Sequence, residues 1–177
     1  VPAVLAQLAD LPTLRPAERT AGDEFQVLLD SPEVTAQILG ILLRDNRWHV
    51  GVGVADVEQP LPESTRAGRG DAYLAARAAV EAARHSVQHI EVRGDSTWCR
   101  HLESALWWWS SILTRRTVKG WEVIDLIAQG LTFEAVGTTL GISQSAVSQR
   151  ASAAHLTEER RAHELVTALT TVALETP

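Results

Sequence analysis

The chain is poor in several residue types, and each scarcity limits what the protein can be. Its 177 residues include a single cysteine, Cys99, so no disulfide can form within the chain, as is typical of proteins in a reducing cytoplasm. No apolar run approaches the length of a membrane-spanning helix, and no basic-plus-apolar secretion signal is recognisable. Methionine is absent even at position 1, so we expect the native start to lie upstream. Together these features predict a cytoplasmic protein without a membrane segment.

Positive charge is also scarce. Lysine and arginine number 16 against 22 aspartates and glutamates, which gives a net charge of −6, and Lys119 is the only lysine. Because affinity for DNA rests largely on neutralising phosphates, this balance excludes a strong, non-specific DNA binder. A protein of this charge can bind DNA as a dimer or through a local patch. The hydrophobic content of 45% is sufficient for a packed core.

The first 95 residues alternate between short strands and helices. Ser31, Pro32 and Glu33 make a favourable helix start, with a capping hydroxyl, a proline at the first helical position and an acid in the first turn. Gly51 and Gly53 lie on one face of a β-branched strand, where another backbone or a ligand can come close. The predicted elements are a helix over 3–10, a hairpin of strands over 16–20 and 25–29, a helix over 31–44, a strand over 48–57, a loop over 59–70, a helix over 71–86 and a strand over 89–92.

Three segments of this region resemble nucleotidyl-cyclase and GGDEF-type domains. TAGDEFQVLL is similar to the hairpin of those domains, and GVGVADV and GDAYLAARAAVEAAR are similar to their next strand and helix. The region most resembles the SatD-like family, small palm-like proteins that are sometimes joined to a helix-turn-helix. The resemblance implies an α+β fold in which residues 1–95 form a ferredoxin-like, palm-type domain whose first strand is missing.

The same resemblance indicates candidate ligand-binding residues. Active cyclases hold metal ions with two acidic residues on adjacent strands. Asp23 matches one of these, but the other belongs on the missing strand, and Ala21 replaces a glycine. We therefore expect no catalytic residues, and either a ligand pocket or a plain solvated turn at this hairpin. The candidate pocket residues are Asp23, Glu24, Asp71, Tyr73 and Arg77, with pairing to Glu81 as the alternative role of that arginine. The histidines form no metal-binding pattern, so neither a metal nor a cofactor is predicted.

A tryptophan-rich helix is predicted within a linker over residues 96–119. Its apolar stripe at helical spacing consists of Trp98, Leu102, Leu106, Trp109 and Leu113. Trp107, Trp108 and Trp109 together cover nearly all sides of the helix, and a monomer can hardly bury all three. Two interpretations stay open: a helix wedged between two domains, and a dimer interface, where large aromatic side chains concentrate.

Residues 120–177 are predicted to be helical throughout and to contain a helix-turn-helix. Gly130 suits the end of a first helix over 122–129, while Thr132 and Ser143 suit the N-caps of the two helices of the motif. Gly141 supplies the left-handed conformation of the turn between them. The apolar residues expected to lock these helices together are Val136, Leu140, Ile142 and Val147.

A last helix is predicted over 158–174, with Thr157 as its cap. Its expected apolar stripe is Leu165, Leu169 and Val172. Such a helix can mediate dimerisation or pack on the tryptophan-rich helix.

The exposed face of the second motif helix is typical of a DNA reader. Its short or flexible polar side chains suit base edges and nearby phosphates, where a helix of a plain bundle would more often carry Glu and Lys. The segment EVIDLIAQGLTFEAVGTTLGISQSAVSQR resembles the helix-turn-helix of LuxR-type regulators and of sigma-factor DNA-binding regions. The candidate DNA-binding residues are Thr132, Ser143, Gln144, Ser145, Ser148, Gln149 and Arg150.

These patterns predict a sequence-specific transcriptional regulator that binds double-stranded DNA as a homodimer and is not an enzyme. The palm-like domain is expected to dimerise or to sense a nucleotide or other small-molecule effector. One alternative is a nucleotide-binding or nucleotidyl-cyclase-like enzyme with a regulatory helical domain, which rests on the GDEF hairpin. Another is a protein-protein adaptor built around Trp107–Trp109.

Overall fold

A computed structural model describes residues 1–176 as a mixed α+β protein dominated by helices, which confirms the predicted fold class at that level. The elements in chain order are α1 (Pro2–Leu8), β1 (Arg15–Arg19), β2 (Phe25–Leu28), α2 (Pro32–Asp45), β3 (Val50–Val54), α3 (Asp71–Ala83), β4 (Ile90–Gly94), α4 (Trp98–Thr114), α5 (Val118–Ala128), α6 (Phe133–Leu140), α7 (Gln144–Ala153) and α8 (Leu156–Glu175). None of the helices described combines the length and apolarity that crossing a bilayer requires.

The strands described form two separate two-stranded sheets. β1 and β2 make the antiparallel hairpin that the sequence predicts, with Arg19 opposite Phe25. β3 and β4 pair in parallel, from Val50 opposite Ile90 onward, and α3 is the crossover that a parallel pair requires. A ferredoxin-like palm would join its strands in one sheet, so the palm-type domain is not confirmed.

Helix α3 lies directly on β3 because of two glycines in that strand. A methyl group added at Gly51 would collide with the backbone nitrogen of Val80, and one added at Gly53 would collide with the carbonyl oxygen of Ala72. The close approach predicted for this strand face is therefore made by the backbone of a helix.

The loop between β3 and α3 is fastened to the hairpin by partly buried hydrogen bonds. Thr65 is fully buried and donates from Oγ1 to the carbonyl of Pro16 at 2.6 Å, while Gln26 donates to the carbonyl of Thr65 at 2.9 Å. Glu18 accepts from the Ser64 hydroxyl at 2.6 Å, and this bond is the main cause that lowers the pKa of the Glu18 carboxyl. The hairpin thus has a defined position on the body of the protein.

The tryptophan-rich helix α4 is a core element. Trp109 is 2% exposed, and Gly40 of α2 faces its ring so closely that a methyl group there would lie 3.1 Å away. Trp107 donates from Nε1 to the carbonyl of Ile90 at the outer edge of β4, and it is 38% exposed. Trp108 is 75% exposed. The triplet is therefore divided among the core, a strand edge and the surface.

The last helix, α8, packs against α2 and α4, so its buried face belongs to the same core as the N-terminal elements. That face consists of Val166, Thr170 and Ala173. Of the predicted stripe, Leu169 packs against this core, but Leu165 is wrong because it is 51% exposed. Small residues let α8 lie close in the groove between two helices, which a row of leucines would prevent. The predicted cap is also wrong, since the N-cap position is held by His155, two residues before Thr157.

Candidate nucleic-acid interface

The turn between α6 and α7 has the geometry that the sequence predicts. Gly141 has φ +64° and ψ +35°, the left-handed conformation that ends α6. Ser143 then accepts from the amide of Ala146 at 3.1 Å and caps α7, and Thr132 caps α6 by accepting from the amide of Ala135 at 3.2 Å. Both predicted caps are confirmed. The helix before the motif begins earlier than predicted, at Val118, because the Thr117 hydroxyl accepts from the amide of Gly120.

A small core of its own holds the three helices α5 to α7. Val123, Val136 and Val147 are completely buried, one from each helix, and Ala151 is 3% exposed. Leu140 and Ile142 pack against this core while partly buried, so the predicted apolar set is confirmed. Three valines and one alanine at the centre of α5 to α7 are thus sufficient to hold α7 in a defined position.

One face of α7 presents polar side chains that are not engaged with the rest of the protein. Gln144, Ser145, Ser148 and Gln149 are exposed, and none of their side chains makes a hydrogen bond within residues 1–176. Arg150 is half-buried and has no ion-pair partner in the same part of the chain. These groups remain available to an external partner, whereas Ser143 and Thr132 already use their hydroxyls as caps.

Trp121 of α5 lies between two guanidinium groups at the junction with the N-terminal elements. The Cζ atoms of Arg44 and Arg116 stand 4.1 and 4.2 Å from the centroid of its ring. Arg44, which belongs to α2, also makes a bidentate ion pair with Asp125 of α5, at 2.6 and 2.8 Å. Stacking and a bidentate pair both restrict orientation, so α5 is fixed relative to α2.

Arg116 extends these contacts to the end of α7. Its side chain is fully buried, with Nε donating to the carbonyl of Ala154 and Nη2 to the Glu159 carboxylate, both at 2.9 Å. Ala154 is the residue at which α7 ends, and Glu159 lies in the first turns of α8. One series of contacts therefore runs from α2 through Trp121 to the end of α7, and it sets the orientation of the exposed polar face.

The hairpin residues predicted as ligand contacts are largely engaged with one another. Glu24 accepts from Arg84 at 2.6 Å and from Arg77 at 3.2 Å. Arg77 also donates to Glu81 at 2.9 Å, which is the alternative pairing that the sequence suggests. Asp23 lies exposed in the turn and has no ion pair among the residues described.

The other two pocket candidates lie at the start of α3. Asp71 is the exposed first residue of that helix, and the Tyr73 ring packs over Gly68. Burial raises the pKa of the Tyr73 phenol. Two open depressions, of about 250 and 220 Å³, are lined by other residues, the first in the loop before α3 and the second beside Ser148 and Ser152 of α7. Across residues 1–176, no three His, Cys, Asp or Glu side chains are grouped so that they could hold a metal ion.

Comparisons of the chain with protein-family models, with curated proteins and with solved structures found no match. Function must therefore be inferred from the chemistry of the site itself.

The contacts around Trp121 are the part of the site that the sequence pattern does not reveal. Arg115 and Arg116 are adjacent and chemically identical, yet Arg115 is exposed and Arg116 is buried. The available signal was Thr117, a good N-cap residue, which places a helix start directly after the two arginines.

Proposed function

We propose that the protein is a sequence-specific regulator that binds double-stranded DNA through α7, acting as a homodimer. The observation that carries the proposal is the unengaged polar face of α7, supported from below by the buried valines of a helix-turn-helix. Glutamine amides can pair with adenine in two hydrogen bonds, and serine hydroxyls can contact either bases or phosphates. The exposed face of a helix in a plain bundle would more often carry Glu and Lys, whereas this face consists of glutamines and serines.

The homodimer is part of the proposal because a single copy offers few cations to DNA. Arg150 is the only basic residue of α7, and the chain as a whole carries a charge of −6. Two copies on half-sites roughly 34 Å apart would double the contacts. The exposed ring of Trp108 is the large aromatic surface that a partner copy would cover. Trp108→Ala should then shift sedimentation from dimer to monomer, and a wild-type monomer would remove this part of the proposal.

The proposal assigns the N-terminal elements a dimerising or effector-sensing role, as in the palm-like and SatD-like resemblance. That kinship is supported by the order of the elements, which is hairpin, α2, β3, α3 and β4. The contacts of Arg44 with Trp121 and Asp125 support a sensing role, since they give α2 a direct influence on α5. Thermal stabilisation by ATP or GTP with Mg²⁺ would support a nucleotide effector, and no shift with either would argue against one.

The test of DNA binding is selection from a pool of random duplexes with the full-length chain. We expect enrichment of a defined sequence. Gln144→Ala should then weaken binding to that duplex about tenfold, which corresponds to roughly 1.4 kcal/mol within the 1–3 kcal/mol range of a base contact. Gln129→Ala is the matched control, because that glutamine is exposed at the end of α5 and lies outside α7. Absence of enrichment, or equal binding by both variants, would contradict the proposal.

A further inference from the structure

We infer that Arg115 and Lys119, here called the basic corner, bind phosphates of the DNA backbone beside α7. The inference rests on the proposed function and deepens it, because α7 itself carries almost no cations and the basic corner supplies them. The corner spans the end of α4 and the first turn of α5.

Residues adjacent to the basic corner contact the C-terminal end of α7. Arg116, between the two residues of the corner, donates to the carbonyl of Ala154 at 2.9 Å. A methyl group added at Gly120, the residue after Lys119, would lie 3.1 Å from Cβ of Ala154. The side chain of Arg116 and the backbone at Gly120 thus both lie against the residue that ends α7, and a duplex lying along α7 would pass close to the corner.

Both side chains of the corner are exposed and unengaged. Seven arginines of the described chain have carboxylate partners: Arg44, Arg47, Arg77, Arg84, Arg93, Arg116 and Arg161. Arg115 and Lys119 have no such partner anywhere in the described residues. Between them Val118 is 76% exposed, an apolar side chain suited to contact with a sugar.

Phosphate is the ligand chemistry that this arrangement fits best. The reading face of α7 is built of neutral amides and hydroxyls, which specify bases but release few counterions. Two unpaired cations at the C-terminal end of that helix supply the phosphate contacts that its neutral side chains lack. Within α5, an unpaired charge opposes them: Glu122, exposed one turn after Lys119 and without an ion pair in the part of the chain described. Removing the Glu122 charge should therefore strengthen binding, which is the opposite of the effect expected when a cation of the corner is removed.

The experiment measures how affinity for the selected duplex depends on salt. Arg115→Ala and Lys119→Ala should each reduce the slope of log affinity against log salt by about 0.9 for every phosphate that the variant no longer neutralises, without changing the preferred sequence. Glu122→Gln should strengthen binding. Arg100→Ala is the matched control, because Arg100 is an exposed arginine without an ion pair among the described residues. It lies in the first turn of α4, the helix that ends at Arg115, and at 1.5 Å per residue the two arginines are roughly 22 Å apart.

The outcomes separate the inference from the proposed function. If the wild type selects a duplex but both corner variants keep its salt slope, or if Arg100→Ala lowers the slope equally, the basic corner is not a phosphate site and the reader assignment stands. A changed sequence preference would mean that the corner contacts bases, which also overturns the inference. If the wild type selects no duplex, the proposed function fails, and the inference fails with it. Circular dichroism should show unchanged thermal midpoints for all four variants, because the substituted side chains are exposed and unpaired.

Discussion

The GDEF hairpin and helix α7 are two polar regions that look equally functional in the sequence and differ sharply in the structure. At the hairpin, Glu24 is held by Arg77 and Arg84, and Arg77 is held again by Glu81. On α7, Gln144 and Gln149 are exposed and make no side-chain bond within residues 1–176. The carboxylate and guanidinium groups of the hairpin are accounted for by folding, whereas the exposed amides of α7 are open to water or to an external partner.

The difference has a practical consequence for mutagenesis. Substitutions among engaged polar groups should reduce stability and leave recognition intact. Substitutions on the unengaged face of α7 should weaken recognition and leave stability intact. The following variants test that separation, beginning with the largest expected effect.

Glu159→Ala should destabilise the protein by about 2–3 kcal/mol. The carboxylate neutralises Arg116, whose side chain is fully buried, and its removal leaves an uncompensated buried charge. The figure is set below the range for fully buried pairs because Glu159 is itself 24% exposed. Urea unfolding measures the loss. Glu158→Ala is the control, since that exposed carboxylate pairs only with His155, and an equal loss in both variants would show that Arg116 does not depend on its partner.

Val147→Ala should destabilise the helix-turn-helix by about 2 kcal/mol. Val147 is completely buried where α7 meets α5 and α6, and truncation leaves a cavity there. Binding to the selected duplex should weaken although no polar group has changed. Val118→Ala, in which the valine is largely exposed, should have little effect on unfolding. A stable Val147→Ala protein with normal affinity would show that the small core does not position α7.

Gln149→Ala should weaken binding to the selected duplex about tenfold and leave the unfolding midpoint unchanged. Its amide is exposed and unbonded within the described chain, so its removal affects only the interaction with DNA. Fluorescence anisotropy with the labelled duplex gives the affinity. A drop in stability with no change in affinity would reverse the assignment of α7 as an unengaged face.

Glu24→Gln should have the smallest effect, below about 1 kcal/mol in stability. Its two ion pairs are partly exposed, with 27% of the Glu24 side chain accessible, and surface pairs contribute little. DNA affinity should stay the same. Altered affinity with normal stability would mean that the hairpin communicates with α7, and would favour the effector role of the N-terminal elements over a purely structural one.

The helix-turn-helix could be predicted from sequence because its caps and its turn are local. Thr132, Gly141 and Ser143 determine caps and turn through bonds that reach at most four residues. The hairpin was predictable for the same reason.

The larger misses depend on contacts between residues far apart in sequence. The buried face of α8 is determined by the groove between α2 and α4, so small Thr170 and Ala173 are buried and Leu165 is not. The palm-like sheet was inferred by resemblance and is not confirmed, since β3 and β4 pair with each other in a sheet that does not include the hairpin. The stacking of Arg44 on Trp121 joins residues 77 positions apart, and no local pattern predicts it.

The central claim is that α7 reads DNA sequence. It is tested most directly by the affinity of the full-length chain for its selected duplex and for a scrambled duplex of equal length, measured at one salt concentration with the wild type and Gln144→Ala. We predict that the wild type prefers the selected duplex by at least a hundredfold and that Gln144→Ala loses about tenfold of that preference. Equal affinity of the wild type for both duplexes, or a preference that Gln144→Ala leaves intact, would contradict the claim.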